Sequence, residues 1–417
     1  MAEASEYGLM LWAETVSLAR PPNRCQIEHR QQPVNAHNPQ DSRLSEAQRA
    51  ALTHVVDLLR QHQGVSRSYI SEVLHRTGTD VAAYGAAMES VHAHARVVLH
   101  FHPDRFGTIP IPVAEVLLKE GVYRNQFETG LSTGGLSAYT GGARDSWERS
   151  LFGGAYHTRG VSESERPKYG ALELVRYADG PIPRFGSCYF VLRPSVSART
   201  SFTFAGSEDP RATERLGMIG QMANVMAALF AEIEAGGMAA PAWPPFGAPT
   251  LGLSNLTVAG LLEVLRELAR PRKEPADLPT GRVLDTQIEA QVHGSIDLQK
   301  DVELLVADPA FAATRTGEVL RQIAAHYGFA LYWHCGFRLF VGEIPDEFRG
   351  PAMPRLARRI AGENGIIDAA VIGAAEASLY HHPDAWGDWG SRAEVLQHLK
   401  QLWHVLVHYG APAVQPS

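Results

Sequence analysis

The sequence predicts an α+β protein with a mixed or antiparallel sheet at its core. Short β-branched or alternating runs, which are typical of strands, concentrate between residues 96 and 307. Apolar residues at helical spacing precede that region, and helical and strand-like patterns alternate after it. We therefore expect an N-terminal arm and helical module at 1–95, a sheet-based core at 96–307, and a helical, α/β C-terminal extension at 308–417.

Length and charge limit the classes of protein to consider. The chain has 417 residues, enough for two or more domains, and its 45% hydrophobic and 20% charged residues are ordinary for a globular protein. A net charge of -7 argues against sequence-independent binding to a nucleic-acid backbone, which needs a basic surface. It does not exclude a nucleic acid as a substrate.

The N-terminus and the cysteines bear on the cellular compartment. Residues 1–20 lack the basic segment of a signal peptide, and no apolar run of the sequence approaches the ~20 residues needed to span a bilayer. Cys25, Cys188 and Cys335 form no CxxC pair, which is typical of a reducing compartment and predicts no structural zinc site. We expect a cytoplasmic protein without a membrane partner.

Capping residues and apolar spacing predict the helices. Ser45 is expected to cap a helix that runs to Leu59, because a serine hydroxyl accepts hydrogen bonds from the free N–H groups at a helix start. Further helices are predicted at 68–76, 80–95, 216–233, 258–269, 299–306, 317–327, 356–361, 366–378 and 392–407.

Short aromatic or β-branched runs predict the strands. They lie at 97–102, 169–177, 187–192 and 200–204, and a hairpin is expected to join 330–334 to 337–341. In the run 200–204, Ser201 and Thr203 alternate with Phe202 and Phe204. This pattern predicts either a plain strand with its hydroxyls toward water or a strand whose hydroxyls orient a ligand.

The segment 285–293 has an unusual alternation for a strand. Successive side chains of a strand point to opposite faces. One face would carry Leu284, Thr286, Ile288, Ala290 and Val292, and the other Asp285, Gln287, Glu289, Gln291 and His293. The second set donates or accepts hydrogen bonds in fixed directions, so it could hold a sugar hydroxyl beside a nucleophile. The alternative interpretation is a solvated edge strand.

Glycine and aromatic residues are concentrated at 121–160. Three Gly-Gly pairs lie between Gly134 and Gly154, and Tyr156 follows the last of them. Glycine allows the backbone to approach a ligand closely, so the pattern indicates contact with a flat ligand. The alternative is a long ordered loop packed by its own aromatic side chains.

His100 and His102 are a candidate metal site. An H-x-H pair on a strand puts both imidazoles on one face, and Asp104 adds a carboxylate, so a metal-dependent hydrolase or nuclease is one hypothesis. The alternative is a pair of core histidines, because no third ligand has a recognisable spacing. The sequence has no GxGxxG, P-loop lysine or GxSxG motif, which argues against a Rossmann domain, an NTPase and an α/β-hydrolase.

Several blocks of the sequence resemble an uncharacterised bacterial family, the domain of unknown function 3626. The resemblance covers most of the chain from about Ser45 onward. Its blocks are 100–105, 126–130, 147–156, 166–172, 184–192 and 403–410. The family name supplies no chemistry.

The order of three motifs is also similar to that of ADP-ribosyltransferases. In that fold a first strand carries an Arg or His that holds NAD, a middle strand carries Ser-x-Ser/Thr or Tyr, and a late strand carries the catalytic Glu, often as Glu/Gln-x-Glu. The matching residues here are His102 or Arg105, then Ser201 and Thr203, then Gln287 and Glu289. The resemblance implies an ADP-ribosyltransferase-like core at 96–307 with NAD as its substrate.

The resemblance also implies a role for each matched residue. Glu289 is the expected catalytic carboxylate, which stabilises the oxocarbenium-like ribose as nicotinamide departs, and Gln287 would orient the acceptor. The other residues expected to bind NAD are His102, Arg105, Ser201 and Thr203, with Phe204 or Tyr156 stacked on nicotinamide.

The expected activity is therefore transfer of ADP-ribose from NAD to a macromolecular acceptor. The sequence does not distinguish a protein acceptor from a nucleic acid, nor a toxin from a defence component or a housekeeping enzyme. Two other hypotheses remain: the metal-dependent hydrolase built on His100, His102 and Asp104, and a non-enzymatic protein with a degenerate NAD pocket.

Overall fold

The computed structural model describes residues 43–107, 110–130, 138–236, 249–285 and 287–413. The described residues belong to one compact unit, Asp41–Ser417. The arm expected before Arg43, and the face assigned to Thr286, lie outside the described residues.

Helices and strands are numbered in chain order. The helices are α1 (Glu46–Arg76), α2 (Val81–His94), α3 (Val113–Glu120), α4 (Gln126–Thr129), α5 (Ala143–Leu151), α6 (Pro194–Ser197), α7 (Ala223–Glu234), α8 (Val258–Glu267), α9 (Leu298–Asp301), α10 (Arg315–Tyr327), α11 (Ala352–Ile360), α12 (Ala369–His381) and α13 (Arg392–Tyr409). The strands are β1 (Arg96–Phe101), β2 (Val122–Tyr123), β3 (Lys168–Glu173), β4 (Cys188–Leu192), β5 (Thr200–Phe204), β6 (Leu216–Met218), β7 (Ile288–Val292), β8 (Ile296–Asp297), β9 (Val302–Ala307), β10 (Ala330–Trp333), β11 (Phe337–Phe340), β12 (Ile366–Ile367) and β13 (Ala411–Pro412).

The main sheet confirms the α+β class. It has eight strands in the order β10-β9-β4-β1-β3-β7-β5-β6. Neighbouring strands are antiparallel except β9 and β10, which are parallel, so the sheet is mixed. β10 lies beyond the predicted boundary at residue 307, yet it adds a strand to the sheet of the predicted core.

α1 replaces the two short helices expected between Ser45 and Arg76. Ser45 caps it as predicted: Ser45 Oγ accepts a hydrogen bond from the Gln48 N–H at 3.3 Å, and Gln48 Oε1 accepts one from the Ser45 N–H at 2.9 Å. Gly64 lies inside the helix. An interior glycine costs about 1 kcal/mol relative to alanine, and the packing of buried residues such as Leu52 and Val55 offsets that cost.

The helix predicted at 299–306 is wrong. α9 ends at Asp301, and the rest of the segment is β9, which pairs with β4 and β10. Val302, Leu305 and Val306 are fully buried there. A short apolar run with β-branched residues fits an interior strand as well as a helix, and the two neighbouring strands decide for the strand.

The predicted hairpin at 330–341 is also wrong. β10 pairs with β9 in parallel, whereas β11 pairs with β12 and β13 in a separate small sheet. The helices predicted at 216–233 and 366–378 start late, at Ala223 and Ala369, because the strands β6 and β12 occupy their first residues.

The two faces of the main sheet differ in character. One face packs in the large apolar core, in which Phe202 and Ile288 belong to the same cluster as Leu229 and Phe230 of α7. The other face carries two small apolar clusters and a polar stretch. The first cluster is Val98, Tyr189, Val191, Leu304 and Val306, and the second is Ala171, Tyr177, Ile182 and Val283. The polar stretch lies on β5 and β7.

Candidate functional site on the polar face of β7

β7 lies inside the main sheet, between β3 and β5. The alternative interpretation of a solvated edge strand is therefore wrong. Ile288, Ala290 and Val292 pack in the large core as the alternation predicts. The opposite face is polar yet buried: Glu289 is 5% exposed and Gln291 is fully buried. Buried polar groups need partners, so this face should form a hydrogen-bonded network.

Strand register aligns the polar side chains in two rows. Glu289 lies opposite Ala171 on β3 and Thr203 on β5. One step along the strand face, Gln291 lies opposite Tyr169 and Ser201. Side chains directly opposite one another on antiparallel strands are close enough to bond.

Gln291 connects these rows. Its Oε1 accepts a hydrogen bond from Ser201 Oγ at 2.9 Å. Its Nε2 donates to Thr203 Oγ1 at 2.9 Å and to Glu289 Oε1 at 3.0 Å. Ser201 and Thr203 thus act on Glu289 through Gln291, because each fixes the amide that holds the carboxylate.

His293 extends the network. Its Nε2 lies 3.2 Å from Ser201 Oγ, and its Nδ1 lies 2.5 Å from the Tyr156 hydroxyl. The Tyr156 ring stacks on the imidazole, and Phe152 meets the imidazole edge-on. His293 is fully buried and Tyr156 is 3% exposed. This part of the network is therefore closed to solvent and stabilises the end of β7.

A tight loop after β5 also holds Glu289. Glu289 Oε1 accepts a hydrogen bond from the Ser207 N–H at 3.0 Å. Ala205, two residues before, has φ 68, a left-handed conformation that non-glycine residues rarely adopt. Its N–H donates to the Gln287 carbonyl at 2.9 Å, which ties the loop to the start of β7. Backbone strain of this kind is often found at functional sites.

Arg144 on α5 supplies a positive charge near Glu289. Burial raises the pKa of Glu289, and the charge of Arg144 opposes that rise while the charge of Glu208 adds to it. The Arg144 guanidinium lies over the Tyr169 ring, 4.1 Å from Cζ to the ring centroid. Its Nε and Nη1 are buried and have no hydrogen-bond partner in the described part of the chain.

A buried charge cluster fixes α5. Arg166 donates from Nη1 to Glu148 Oε2 at 2.7 Å and from Nη2 to Asp145 Oδ1 at 2.5 Å. The Tyr169 hydroxyl donates to Glu148 Oε1 at 2.9 Å. Tyr169 therefore both contacts Arg144 and joins the cluster, so the guanidinium position is coupled to these ion pairs.

Two further acceptors lie beside the carboxylate without partners. Gln287 Oε1 and Ser207 Oγ are buried, and neither has a hydrogen-bond partner among residues 43–107, 110–130, 138–236, 249–285 and 287–413. A buried polar atom without a partner marks a place where a ligand can bond. The site thus offers a carboxylate, two oxygens and a guanidinium, a set suited to a ligand with several hydroxyl groups.

The structure separates the other predicted site residues from this set. Phe204 lies opposite Ile288 and packs in the large core, so it is on the face away from Glu289. His102 contacts Trp403 edge-on at 5.1 Å, and Arg105 pairs with Glu376 at 3.0 Å. Among the described contacts, His102 and Arg105 share no partner with Glu289.

The three candidate metal ligands point to different neighbours. His100 Nδ1 lies 3.2 Å from the Gly186 carbonyl, and burial lowers the pKa of His100 to about 3. His102 lies against Trp403 and Ser187. Asp104 lies near Glu376, and burial, with the charge of Glu376 beside it, raises the pKa of Asp104 to about 7. Within the described ranges, no group of three or more His, Cys, Asp or Glu could hold a metal ion.

Sequence reasoning missed several residues of the site. Arg144 and Ser207 lie far from β7 in sequence, and only the fold brings them to Glu289. The alternation of the sequence puts Gln291 and His293 on the correct face, but it does not reveal that they connect the hydrogen-bonded network. The even spacing of Gln287, Glu289, Gln291 and His293 was the available signal, because a uniformly polar strand face predicts a network once it is buried.

Fold and site define an α+β protein with a carboxylate-centred polar site on an interior strand. The chain belongs to a family of proteins of unknown function, DUF3626, whose model matches residues 96–409. The match runs from the first residue of β1 to the last residue of α13, so it includes the main sheet and the site. No curated protein matches the chain. Among the described residues, no helix combines the length and the apolar character needed to cross a membrane.

Removal of the Ser201 hydroxyl tests the network. We expect Ser201→Ala to lower the free energy of unfolding by about 1–3 kcal/mol, because Gln291 Oε1 and His293 Nε2 lose a buried partner. Ser150→Ala, at an exposed serine on α5, should change it by less than about 0.5 kcal/mol. Urea unfolding of both variants measures the difference, and equal stabilities would contradict the network.

Proposed function

We propose that the protein transfers ADP-ribose from NAD to a macromolecular acceptor, with Glu289 as the catalytic carboxylate. One observation carries the proposal. Glu289 is a buried carboxylate on an interior strand, and its Oε1 is held by the Ser207 N–H and the Gln291 amide. A carboxylate held in advance is what stabilisation of a developing positive charge requires.

The chemistry suits this arrangement. The bond between nicotinamide and ribose breaks, nicotinamide leaves with the bonding electrons, and the ribose becomes oxocarbenium-like until the acceptor adds to it. Glu289 Oε2 has no hydrogen bond among the described residues, so it is available to the ribose while Oε1 stays anchored. A charge in a buried site acts more strongly than in water, because the surroundings screen it less.

The other residues near Glu289 take supporting roles. Gln287 Oε1 is available to orient the acceptor or a ribose hydroxyl. Ser201, Thr203 and Tyr156 act as positioning residues, because their hydrogen bonds reach Glu289 through Gln291 or support His293. Binding of NAD by His102 or Arg105 remains a prediction, and neither residue is needed to hold the carboxylate.

The acceptor is identified by labelling. Purified protein is incubated with NAD labelled in its adenylate part and with a cell lysate, and the macromolecular fraction is then treated with protease or nuclease. We expect label in that fraction, released by one of the two treatments, which names the class of acceptor. Absence of label from both protein and nucleic acid, with folded protein and NAD that the lysate alone does not degrade, contradicts transfer.

Replacement of Arg144 tests its electrostatic role. Arg144→Met keeps a long side chain but removes the charge that opposes the rise in the pKa of Glu289. The pKa of Glu289 should rise further, so the acidic limb of the pH profile of NAD cleavage should move to higher pH. An unshifted limb would show that Arg144 does not act on the catalytic carboxylate, and Arg149→Met, on the exposed side of α5, is the control.

A further inference from the structure

A second polar cluster carries mostly positive charge. We call it the cationic cluster and define it by Arg105, Arg184, Arg349, Lys400 and His404. Lys400 and His404 are one turn apart on α13, and residues one turn apart share a face of a helix. The other three residues come from segments that contact α13. Trp403, next to His404, donates from Nε1 to the carbonyl of Pro183, the neighbour of Arg184, at 2.8 Å. It also meets the ring of His102, which precedes Arg105, at 5.1 Å. Phe348, the neighbour of Arg349, stacks on His408 of α13 at 4.9 Å.

Many polar atoms of the cationic cluster have no partner in the described ranges. Both ring nitrogens of His404 are buried without a hydrogen bond, and so are the Nε atoms of Arg105, Arg184 and Arg349. His404 is 2% exposed and Lys400 is 8% exposed. Buried polar groups of folded proteins almost always have partners, so this concentration indicates a missing ligand.

The charges of the cationic cluster do not balance. Arg184 pairs with Asp285 at 2.7 Å and Arg105 with Glu376 at 3.0 Å. Arg349 and Lys400 have no ion pair in the part of the chain described, so the positive charge is in excess there.

The pKa values of Lys400 and His404 also reflect the excess of positive charge. Burial, together with the neighbouring charges of Arg184, Arg105 and Arg349, lowers the pKa of Lys400 to about 8. Burial also lowers the pKa of His404, together with the same arginines and Lys400. All of these neighbouring charges are positive and repel a proton on either group. A bound anion would offset that repulsion and stabilise the charged form of Lys400.

The cationic cluster reaches solvent through its arginines. The Arg184 side chain is 29% exposed and Arg349 is half-buried, whereas Lys400 and His404 are buried. A small anion could therefore enter past the two arginines and meet Lys400 and His404. Arg184 adjoins Phe185, which packs in the small cluster that contains Ala171, the β3 partner of Glu289.

We propose that the cationic cluster binds a phosphoryl group, either free phosphate or the phosphate of a small molecule. Arginine matches the oxygens of phosphate with its planar fork of donors, and lysine adds a point charge. His404, neutral and with a free ring nitrogen, can donate one more hydrogen bond. The proposal does not depend on activity at Glu289.

Binding of phosphate by the full chain tests the proposal. Inorganic phosphate, pyrophosphate and NAD are titrated by calorimetry into the wild type, Lys400→Met and the control Lys300→Met, whose lysine is 69% exposed on α9. Loss of one charge-assisted hydrogen bond should weaken binding to Lys400→Met by about tenfold to a hundredfold. Lys300→Met should bind as the wild type does.

The stability of Lys400→Met gives an independent readout. Because the pKa of Lys400 is lowered on folding, its charge destabilises the fold below about pH 8, and the effect fades as pH rises toward the pKa of the unfolded chain. Without an anion, Lys400→Met should therefore melt at the same temperature as the wild type or higher. It should also lose the rise in melting temperature that phosphate gives the wild type.

A pH series on the wild type needs no variant. Sulfate keeps a constant charge between about pH 7 and 9, whereas Lys400, with a pKa of about 8, loses its proton over that range. Sulfate binding should therefore weaken as pH rises. Affinity that is independent of pH would place the anion away from Lys400 and contradict the proposal.

The ligand arms distinguish the source of the phosphoryl group. Tight binding of phosphate or pyrophosphate that Lys400→Met weakens supports a free anion. Binding of NAD alone, weakened by the same substitution, supports the diphosphate of a dinucleotide. Equal affinities of the wild type and Lys400→Met for all three probes would overturn the proposal, whatever the activity of Glu289→Gln.

Discussion

Glu289→Gln should reduce NAD cleavage by about two orders of magnitude or more, the loss expected when one preorganised electrostatic contact is deleted. The amide keeps the size of the side chain and an oxygen for the Ser207 N–H and the Gln291 amide. It removes the negative charge that stabilises the oxocarbenium-like ribose. The loss should therefore fall on kcat, with little change in the affinity for NAD.

The same substitution should leave stability unchanged or raise it. Burial raises the pKa of Glu289, so ionisation of Glu289 lowers the free energy of unfolding. This cost is absent below the unfolded pKa of ~4.3 and grows as pH rises through the folded pKa. Glu289→Gln removes that cost at neutral pH. Glu267→Gln, at an exposed glutamate of α8, is the control. A large fall in melting temperature would make Glu289 a structural residue instead.

Arg166→Met should lower the free energy of unfolding by about 3–5 kcal/mol, the range for removal of one partner of a buried ion pair. Arg166 is 5% exposed and binds both Asp145 and Glu148, so the substitution removes the arginine that both buried carboxylates share. Urea unfolding at neutral pH measures the loss. Arg149→Met, at an exposed arginine of α5, should change stability by less than about 0.5 kcal/mol.

The loss in Arg166→Met should be larger above neutral pH than below it. Burial raises the pKa of Glu148 to about 7, although Arg166 opposes the rise, and without Arg166 that pKa moves higher. A raised carboxyl pKa destabilises the fold above the folded pKa, and the effect fades as pH falls toward the unfolded pKa of ~4.3. The effect fades alike in both proteins below about pH 7, where folded Glu148 is protonated, so the part of the loss that comes from Glu148 should be present above pH 7 and should close as pH falls through that value. A gap that does not narrow as pH falls from the alkaline range through pH 7 would contradict ion pairing with Glu148 as the cause.

The alternation of β7 was predictable, but its burial was not. The period of two assigned Ile288 and Ala290 to one face and Glu289 and Gln291 to the other, as the structure has them. Whether a strand is interior or at an edge depends on partners far away in sequence. Here those partners are Ala171 and Thr203, and no local pattern in β7 identifies them.

The placement of Phe204 could have been corrected from the sequence alone. Ser201 and Thr203 face Gln291, so Phe204, one residue further on the strand, must face the other way. An aromatic residue on that face cannot stack on a ligand bound at Glu289. Tyr156 does lie near the polar face of β7, as expected. Its hydroxyl contacts His293 within the hydrogen-bonded network.

Long-range pairing explains the errors in the C-terminal part. β9 and β10 are parallel strands joined through α10, and such a connection leaves no turn signal between neighbouring strands. The sequence around Cys335 and Gly336 is typical of a hairpin turn. The strands on either side of it nevertheless belong to different sheets. Local residue preferences do not encode that choice.

Release of nicotinamide from NAD by the purified wild-type protein, measured beside Glu289→Gln, tests the central claim most directly. NAD carries one label in nicotinamide and another in its adenylate part, so bond cleavage and transfer are followed in one reaction. The account predicts free nicotinamide and adenylate label on a macromolecule with the wild type, and both reduced by about a hundredfold or more with Glu289→Gln. Equal release by the two proteins would contradict the role of Glu289. Binding of NAD by the wild type without any release would instead support a non-enzymatic NAD-binding protein.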